Sequence, residues 1–173
     1  MAISPIGEEQ LMNKTKIILD TDIGDDIDDA FALSIALNEP NCELLGVTTV
    51  FRNAYKRAKM ASYLIKTFNQ NIKVYAGCDV PLIANVSDLL SSEIKAKEKL
   101  DETGKYLLPQ YLPVMDQGVV EEKHAVDFII EMAHKYPHEL VVVGIGPLTN
   151  IALAIRKDPE ITKLIKEIRI MGG

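Results

Sequence analysis

A chain of 173 residues that is 47% hydrophobic and 25% charged is long enough for one packed domain and too short for two ordinary ones. A net charge of −6, with lysines scattered along the chain, lacks the basic patch of a nucleic-acid-binding protein. No stretch has the length and apolarity of a signal peptide or a membrane span, and the two cysteines have no metal or redox spacing. We therefore expect a single-domain cytoplasmic protein whose partner is a small ligand rather than nucleic acid or membrane, with a flexible tail at residues 1–14.

The first half of the chain alternates between short apolar runs and helical periodicity. Strands are predicted at residues 16–19, 43–50 and 74–76, because each is a short apolar or β-branched run. Helices are predicted between them at residues 28–37 and 53–68, where apolar side chains recur at helical spacing. This βαβαβ order implies a parallel sheet with right-handed crossovers.

The second half continues this alternation after an irregular interval. A charged, exposed helix is predicted at residues 86–100, followed at residues 101–118 by a long loop rich in glycine, proline and tyrosine, a kind that often covers a site. Helical segments are then predicted at residues 121–136, 148–156 and 159–165. Strands are predicted at residues 140–143 and 167–171. The predicted fold class is α/β, an open, mostly parallel sheet with helices on both faces.

Six carboxylates fall within ten positions directly after the first predicted strand: Asp20, Asp22, Asp25, Asp26, Asp28 and Asp29. Carboxylates this close raise one another's pKa unless a hard cation or solvent spreads the charge. The cluster lies at a strand-to-helix turn, which in an open parallel sheet is the edge where ligands bind. A loop that caps a helix would explain one or two of these acids, but not six. The pattern favours a cation site.

Two known kinds of acidic motif fit this turn poorly. An EF-hand loop that began at Asp20 would need an acid at its twelfth position, where this chain has Phe31. A haloacid-dehalogenase-type phosphatase also places Asp-x-Asp after a strand and uses magnesium. That family normally has Thr or Val four positions after the first Asp, where this chain has Gly24. The phosphatase remains the less favoured alternative.

Five segments together resemble the inosine-uridine-type nucleoside hydrolases and occur in the order found in that family. They are residues 20–30 (DTDIGDDIDDA), 46–53 (GVTTVFRN), 75–82 (YAGCDVPL), 146–152 (GPLTNIA) and 171–173 (MGG). The resemblance runs from about Lys16 to the last residue and implies a Rossmann-like nucleoside hydrolase fold. It also implies hydrolysis of the N-glycosidic bond of ribonucleosides to base and ribose, as in nucleoside salvage.

The resemblance implies roles for individual residues. It implies a calcium (Ca²⁺) site with four candidate ligands: Asp22, Asp29, the backbone carbonyl of Ile145, and Asp26 as an additional candidate. Asp22 would also act as the general base, and Asp28 and Asn53 would contact the ribose. Family members often have Thr in place of Ile145, but a carbonyl ligand tolerates that change.

Two departures from the family pattern affect these assignments. In the common short form of the acidic signature, one residue separates the Gly from Asp-Asp, whereas three intervene here, so the roles of Asp25, Asp26 and Asp28 stay open. Arg52 stands where the family usually has Gly, and would either crowd the site or pair with the acids. Base preference does not follow from the sequence.

Length is the largest departure. Members of the family that this chain resembles are about twice the size of a small domain. In that family, further motifs lie beyond Met-Gly-Gly, including a last calcium-ligating Asp and a His that protonates the leaving base. We therefore expect a chain incomplete at its C-terminus, poorly active alone, and a homo-oligomer when full length. The alternative is a non-catalytic truncated paralogue that serves as a binding or regulatory partner.

Overall fold

A computed structural model of the chain describes residues 14–82, 99–101 and 104–172. Within these residues, five parallel strands form one sheet in the order β3-β2-β1-β4-β5. Their bounds are β1 (Thr15–Thr21), β2 (Cys42–Thr49), β3 (Val74–Ala76), β4 (Leu140–Gly144) and β5 (Glu167–Ile170). The predicted open parallel sheet is confirmed.

Helices cover both faces of this sheet. Their bounds are α1 (Asp28–Asn38), α2 (Ala54–Thr67), α3 (Ala125–Lys135), α4 (Thr149–Lys157) and α5 (Ile161–Leu164), with a short 3-10 helix at Pro113–Gln117. Ile17 and Leu19 of β1 belong to the core that α1 and α2 close, whereas Ile18 belongs to the core that α3 to α5 close. This alternation explains the continuous apolar run of β1, because a central parallel strand is buried on both faces.

The structure differs from the predicted elements in details near the middle of the chain. Helix α3 begins at Ala125 rather than at residue 121, because His124 has an extended backbone and its side chain accepts a hydrogen bond from the Val126 N–H. The predicted helix at residues 86–100 and the predicted tail lie almost wholly outside the described residues. Leu100, at the end of that helix, instead forms an antiparallel bridge with Tyr106.

The strand order brings two loops together at the centre of the sheet. β1 lies between β2 and β4, and Asp20 at the end of β1 is the register partner of Gly144 at the end of β4. The Ile145 N–H donates to the Asp20 carbonyl at 2.9 Å, and the segments that follow β1 and β4 diverge from this point. A crevice opens where strand order reverses, and such crevices bind ligands in open α/β sheets.

Among the helices of the described part of the chain, none has the length and apolarity needed to cross a bilayer.

Candidate active site

A cavity of about 470 Å³ opens between the acidic turn after β1 and the loop after β4. Its walls are five carboxylates and the residues that face them across the crevice: Asp22, Asp25, Asp26, Asp28, Asp29, Ile145, Gly146, Pro147, Leu148 and Met171. The structure thus brings the four candidate metal ligands and one of the two predicted sugar contacts to the same cavity. Asn53, the other predicted sugar contact, is not among the lining residues.

The pKa values of two carboxyls of this cavity, Asp22 and Asp29, are raised above the ordinary value. The pKa of Asp22 is raised to about 6, first by burial and second by the negative charge of Asp29. Burial also raises the pKa of Asp29, although a hydrogen bond from the Thr21 hydroxyl to Asp29 Oδ1 opposes that shift. Two partly desolvated carboxylates that repel each other are stabilised by a cation placed between them.

Gly146 lets the loop after β4 approach Asp22 closely. A Cβ atom on Gly146 would lie 2.8 Å from Asp22 Oδ1 and 2.9 Å from the Asp22 backbone nitrogen. Real Cβ atoms do not tolerate contacts this short, so a larger residue would displace either the loop or the carboxylate. The glycine therefore sets the width of the crevice beside Asp22.

Asp20 supports the site from beneath without lining the cavity. It is fully buried, and its Oδ1 accepts hydrogen bonds from the Thr48 hydroxyl at 2.6 Å and from Asn150 Nδ2 at 2.8 Å. Oδ2 has no hydrogen-bond partner in the described part of the chain. Burial raises the pKa of Asp20 to about 7. Asp20 belongs to the acidic motif of the sequence, but that motif alone indicates no role for it.

Asn150 joins three strand ends. Besides Asp20, its side-chain amide donates to the Thr49 carbonyl at 3.0 Å, and its Oδ1 accepts from the Cys78 N–H at 2.9 Å. A Cβ on Gly77 would fall within 2.6 Å of this amide, so Gly77 makes room for it. Asn150 was visible in the Gly-Pro-Leu-Thr-Asn segment, but no local signal indicated that it reaches back to β1 and β2.

Asn53 contacts the loop at residues 101–118, here called the middle loop, instead of lining the cavity. Its backbone is left-handed, with φ of 70°, and its Nδ2 donates to the Tyr106 carbonyl at 3.0 Å and reaches Asp101 Oδ2 at 3.5 Å. The Arg52 guanidinium lies 3.8 Å from the centre of the Tyr106 ring. The residues after β2 are therefore held by the loop that the sequence predicted to cover a site.

The donor set of the cavity suits a hard cation. Its carboxylate and carbonyl oxygens are the ligands that Ca²⁺ prefers, whereas thiol or imidazole ligands would favour a softer metal. Within residues 14–82, 99–101 and 104–172, however, no group of three or more His, Cys, Asp or Glu side chains converges closely enough to hold a metal ion. The side chains here could supply two anchoring carboxylates, and backbone oxygen would have to contribute as well.

Comparison with known proteins agrees with this geometry. The model of the inosine-uridine preferring nucleoside hydrolase family matches residues 17–173. The chain belongs to this family. A probable uridine nucleosidase 2 of Arabidopsis thaliana is 34% identical over 161 residues, covering 93% of this chain and 48% of that protein. A pyrimidine-specific ribonucleoside hydrolase, RihB, of Escherichia coli is 35% identical over 164 residues, covering 94% of this chain and 49% of its own length.

Solved structures of nucleoside hydrolases share the fold. A plant nucleoside hydrolase, PpNRh1, has a TM-score of 0.73 and 28% identity, and the match covers 92% of this chain and 48% of that one. A purine-preferring ribonucleoside hydrolase from Gardnerella vaginalis has a TM-score of 0.70 and 30% identity, with 91% and 48% covered. The chain spans about half the length of the relatives it matches.

Proposed function

We propose that this nucleoside hydrolase family member carries the metal- and sugar-binding residues of a calcium-dependent site that hydrolyses the N-glycosidic bond of ribonucleosides to base and ribose. The observation that carries the proposal is the meeting of Asp22 and Asp29 with Ile145 at one cavity, in the crevice between β1 and β4. Relatives named as a uridine nucleosidase and a pyrimidine-specific ribonucleoside hydrolase support a ribonucleoside substrate.

The arrangement of carboxylates suits this reaction. As the N-glycosidic bond breaks, positive charge develops on the ribose, so fixed negative charge nearby lowers the barrier. Asp28 is exposed on the cavity wall, where its carboxylate can accept a hydrogen bond from a ribose hydroxyl. Without a cation the pKa of Asp22 is raised to about 6, chiefly by burial, and a bound Ca²⁺ would lower it and keep the carboxylate ionised, as a general base must be.

Metal binding is assigned to oxygen atoms around the cavity. Asp22 and Asp29 would anchor the ion through their carboxylates, the Ile145 carbonyl would add a third oxygen, and Asp26, exposed on the rim, is a further candidate. When bound, Ca²⁺ would supply positive charge that lowers the pKa of a coordinated water and grips the ribose diol.

Asn53 has a conditional role in the proposed reaction. Its side-chain amide already donates to the Tyr106 carbonyl, so it could contact ribose only if that hydrogen bond were exchanged for one to the sugar. We therefore place Asn53 at the boundary between the cavity and the middle loop.

We further propose that the protein acts in nucleoside salvage in the cytoplasm, and that it forms a homo-oligomer when it includes the segments its longer relatives have.

Base release with and without calcium tests this function. The protein is incubated with uridine, cytidine or inosine, and free base is measured by chromatography in buffer with Ca²⁺ or with EGTA. We expect slow, Ca²⁺-dependent release that Asp29→Asn abolishes and that Asp127→Asn, which removes an exposed carboxylate on α3, leaves unchanged.

Calcium titration calorimetry on the same proteins separates the alternatives. A protein that neither binds Ca²⁺ nor releases any base would contradict the proposal. Calcium binding without base release from any nucleoside would favour the non-catalytic binding partner. Magnesium-dependent release of inorganic phosphate from a phosphomonoester would favour the phosphatase of haloacid-dehalogenase type.

A further inference from the structure

Arg57 is a fully buried arginine on α2 whose side chain connects two loops of the site. Its Nη1 donates to the carbonyls of Asp22 and Ile23, the latter at 3.0 Å. Its Nε donates to the Phe51 carbonyl at 2.7 Å. The guanidinium therefore holds the backbone of the acidic turn against the backbone of the loop after β2, and its rigid planar shape fixes both distances.

The loop after β2 has an unusual conformation that needs such support. Phe51, Arg52 and Asn53 have φ angles of 71°, 37° and 70°, a run of three residues in the left-handed region that favours glycine. Backbone strain of this kind persists where the surroundings fix it and is concentrated at functional sites. Two hydrogen bonds hold the loop from the other side, from the Phe51 N–H to the Cys78 carbonyl at 2.7 Å and from the Arg52 N–H to the Asp79 carbonyl at 2.9 Å.

Asp25 balances the buried charge of Arg57. Its Oδ2 lies 2.9 Å from Arg57 Nη2, and its side chain is 34% exposed, whereas the arginine side chain is 0% exposed. A buried guanidinium requires a partner, so this contact accounts for one of the acids whose role the sequence left open. Asp25 Oδ1 is buried without a hydrogen-bond partner among the described residues, so direct metal ligation by Oδ1 is the competing role.

We propose that Arg57 is a positioning residue of the hydrolase site, which fixes the backbone at Asp22, and that Asp25 serves as its counter-ion rather than as a ligand of metal or ribose. The proposal rests on the proposed function for the cation that Asp22 would hold. The anchoring of the turn by Arg57 does not depend on that cation and can be measured without it.

The first experiment measures amide hydrogen exchange in EGTA, so that no metal contributes. Arg57→Lys keeps the positive charge but cannot donate to three carbonyls and a carboxylate in one plane. We expect exchange at residues 22–25 to accelerate about 10-fold or more, while exchange in α3, on the opposite face of the sheet, changes by less than about 2-fold. Unchanged exchange in the turn would overturn the proposal. If Arg57→Lys does not fold, Asp25→Asn is the second variant, with the same expectation at smaller amplitude.

The second experiment uses Ca²⁺ and the luminescent ion Tb³⁺ as probes. We expect Arg57→Lys to weaken Ca²⁺ binding about 10-fold, because residues that orient metal ligands have effects of this size. Luminescence lifetimes of bound Tb³⁺ in H₂O and D₂O count the waters on the ion. Asp29→Asn should add water because a ligand is lost, whereas Asp25→Asn should leave the count unchanged.

The outcomes separate this proposal from the proposed function. Added water in Asp25→Asn would make Asp25 a ligand and overturn its counter-ion role, and unchanged Ca²⁺ affinity in Arg57→Lys would overturn the positioning role. A wild-type protein that binds neither ion would contradict the proposed function. In that case the exchange measurement alone decides whether Arg57 anchors the acidic turn.

Discussion

The side-chain amide of Asn150, at the start of α4, donates a 2.8 Å hydrogen bond to Oδ1 of Asp20, at the end of β1, from 130 positions further along the chain. The same amide group satisfies the Thr49 carbonyl and the Cys78 N–H. One side chain therefore ties the carboxyl ends of β1 and β2 and the segment after β3 to the helix that follows β4. The cavity rests on this buried network.

Removing the Asn150 amide should lower stability strongly. Asn150→Ala leaves the Asp20 carboxyl without one of its donors and removes the partner of the buried Thr49 carbonyl and of the partly buried Cys78 N–H, so we expect a loss of about 3 kcal/mol in the free energy of unfolding. Urea denaturation measures it. Asn38→Ala, at the exposed end of α1, removes a hydrogen bond to the Ser34 carbonyl and serves as the matched control, with an expected change below about 0.5 kcal/mol. Equal losses in the two variants would contradict the central role of Asn150.

The buried carboxyl of Asp20 should make stability depend on pH in metal-free protein. Its folded pKa is about 7, above the ordinary value of 3.8, so the folded state holds this proton more tightly than the unfolded state. The associated stability is fully present below about pH 4 and is lost as pH rises through 7, by up to about 4 kcal/mol. The free energy of unfolding, measured in EGTA at several pH values, should therefore decrease as the pH rises from about 4 to about 7.

Asp20→Asn tests whether the Asp20 carboxyl causes this decrease in the free energy of unfolding. The Asn Oδ1 can still accept from Thr48 and Asn150, and its amide is uncharged, so the variant should show a flatter pH profile and exceed the wild type in stability at pH 8. Asp127→Asn, an exposed acid paired with Lys157, should keep the wild-type profile. A wild-type slope in Asp20→Asn would show that this carboxyl does not titrate between pH 4 and 7.

Adding a methyl group at Gly146 should disturb Asp22 more than the fold. A Cβ there would lie 2.8 Å from Asp22 Oδ1, so Gly146→Ala must push either the carboxylate or the loop aside. We expect Ca²⁺ affinity to fall about 10-fold or more, since a ligand out of place binds poorly. Calorimetric titration measures the affinity. Gly172→Ala, whose Cβ would meet Ile170 Cδ1 at 3.8 Å and no other atom of the described residues within 4 Å, should keep wild-type affinity, and a similar loss in both variants would contradict this explanation.

Thr21 should influence calcium binding through Asp29. Its hydroxyl donates to Asp29 Oδ1 and accepts from the Ile23 N–H at 3.1 Å, so it orients a candidate ligand and the turn that follows. Thr21→Val keeps the shape and removes both hydrogen bonds, and we expect a loss of about 10-fold in Ca²⁺ affinity. Thr21→Ser keeps the hydroxyl and should bind within about 3-fold of wild type. The hypothesis fails if the valine variant binds Ca²⁺ as tightly as the serine variant.

The fold could be predicted because its signals are local. The apolar run that became β1 and the alternation of strands and helices are properties of consecutive residues, and they imply a parallel sheet with helices on both faces. The start of α3 was misplaced because charged residues 121–124 continue the helical pattern in composition. The extended backbone of His124 decides the boundary instead.

The site could be predicted only in part. The acidic cluster indicated where a cation would bind, and its position at a strand end was enough to place it at the sheet edge. The roles of Arg57 and Asn150 depend on strand order and register, which bring distant loops into contact, and no local pattern reports them. Arg57 was the harder case, since arginine on a helix is usually exposed. The hydrogen bond from Asn53 to Tyr106 also depends on a loop whose path the sequence did not specify.

The central position of β1 has a consequence for how the chain acquires its site. β1 is synthesised before β4, so one of its edges is completed only when residues 140–144 pair with it. During synthesis the acidic turn exists long before Gly146 and Asn150 arrive to enclose it, and until then its carboxylates stay in water. Contacts between segments so distant in sequence form slowly. Cation affinity should therefore appear late, as a property of the docked β4 rather than of the acidic motif itself.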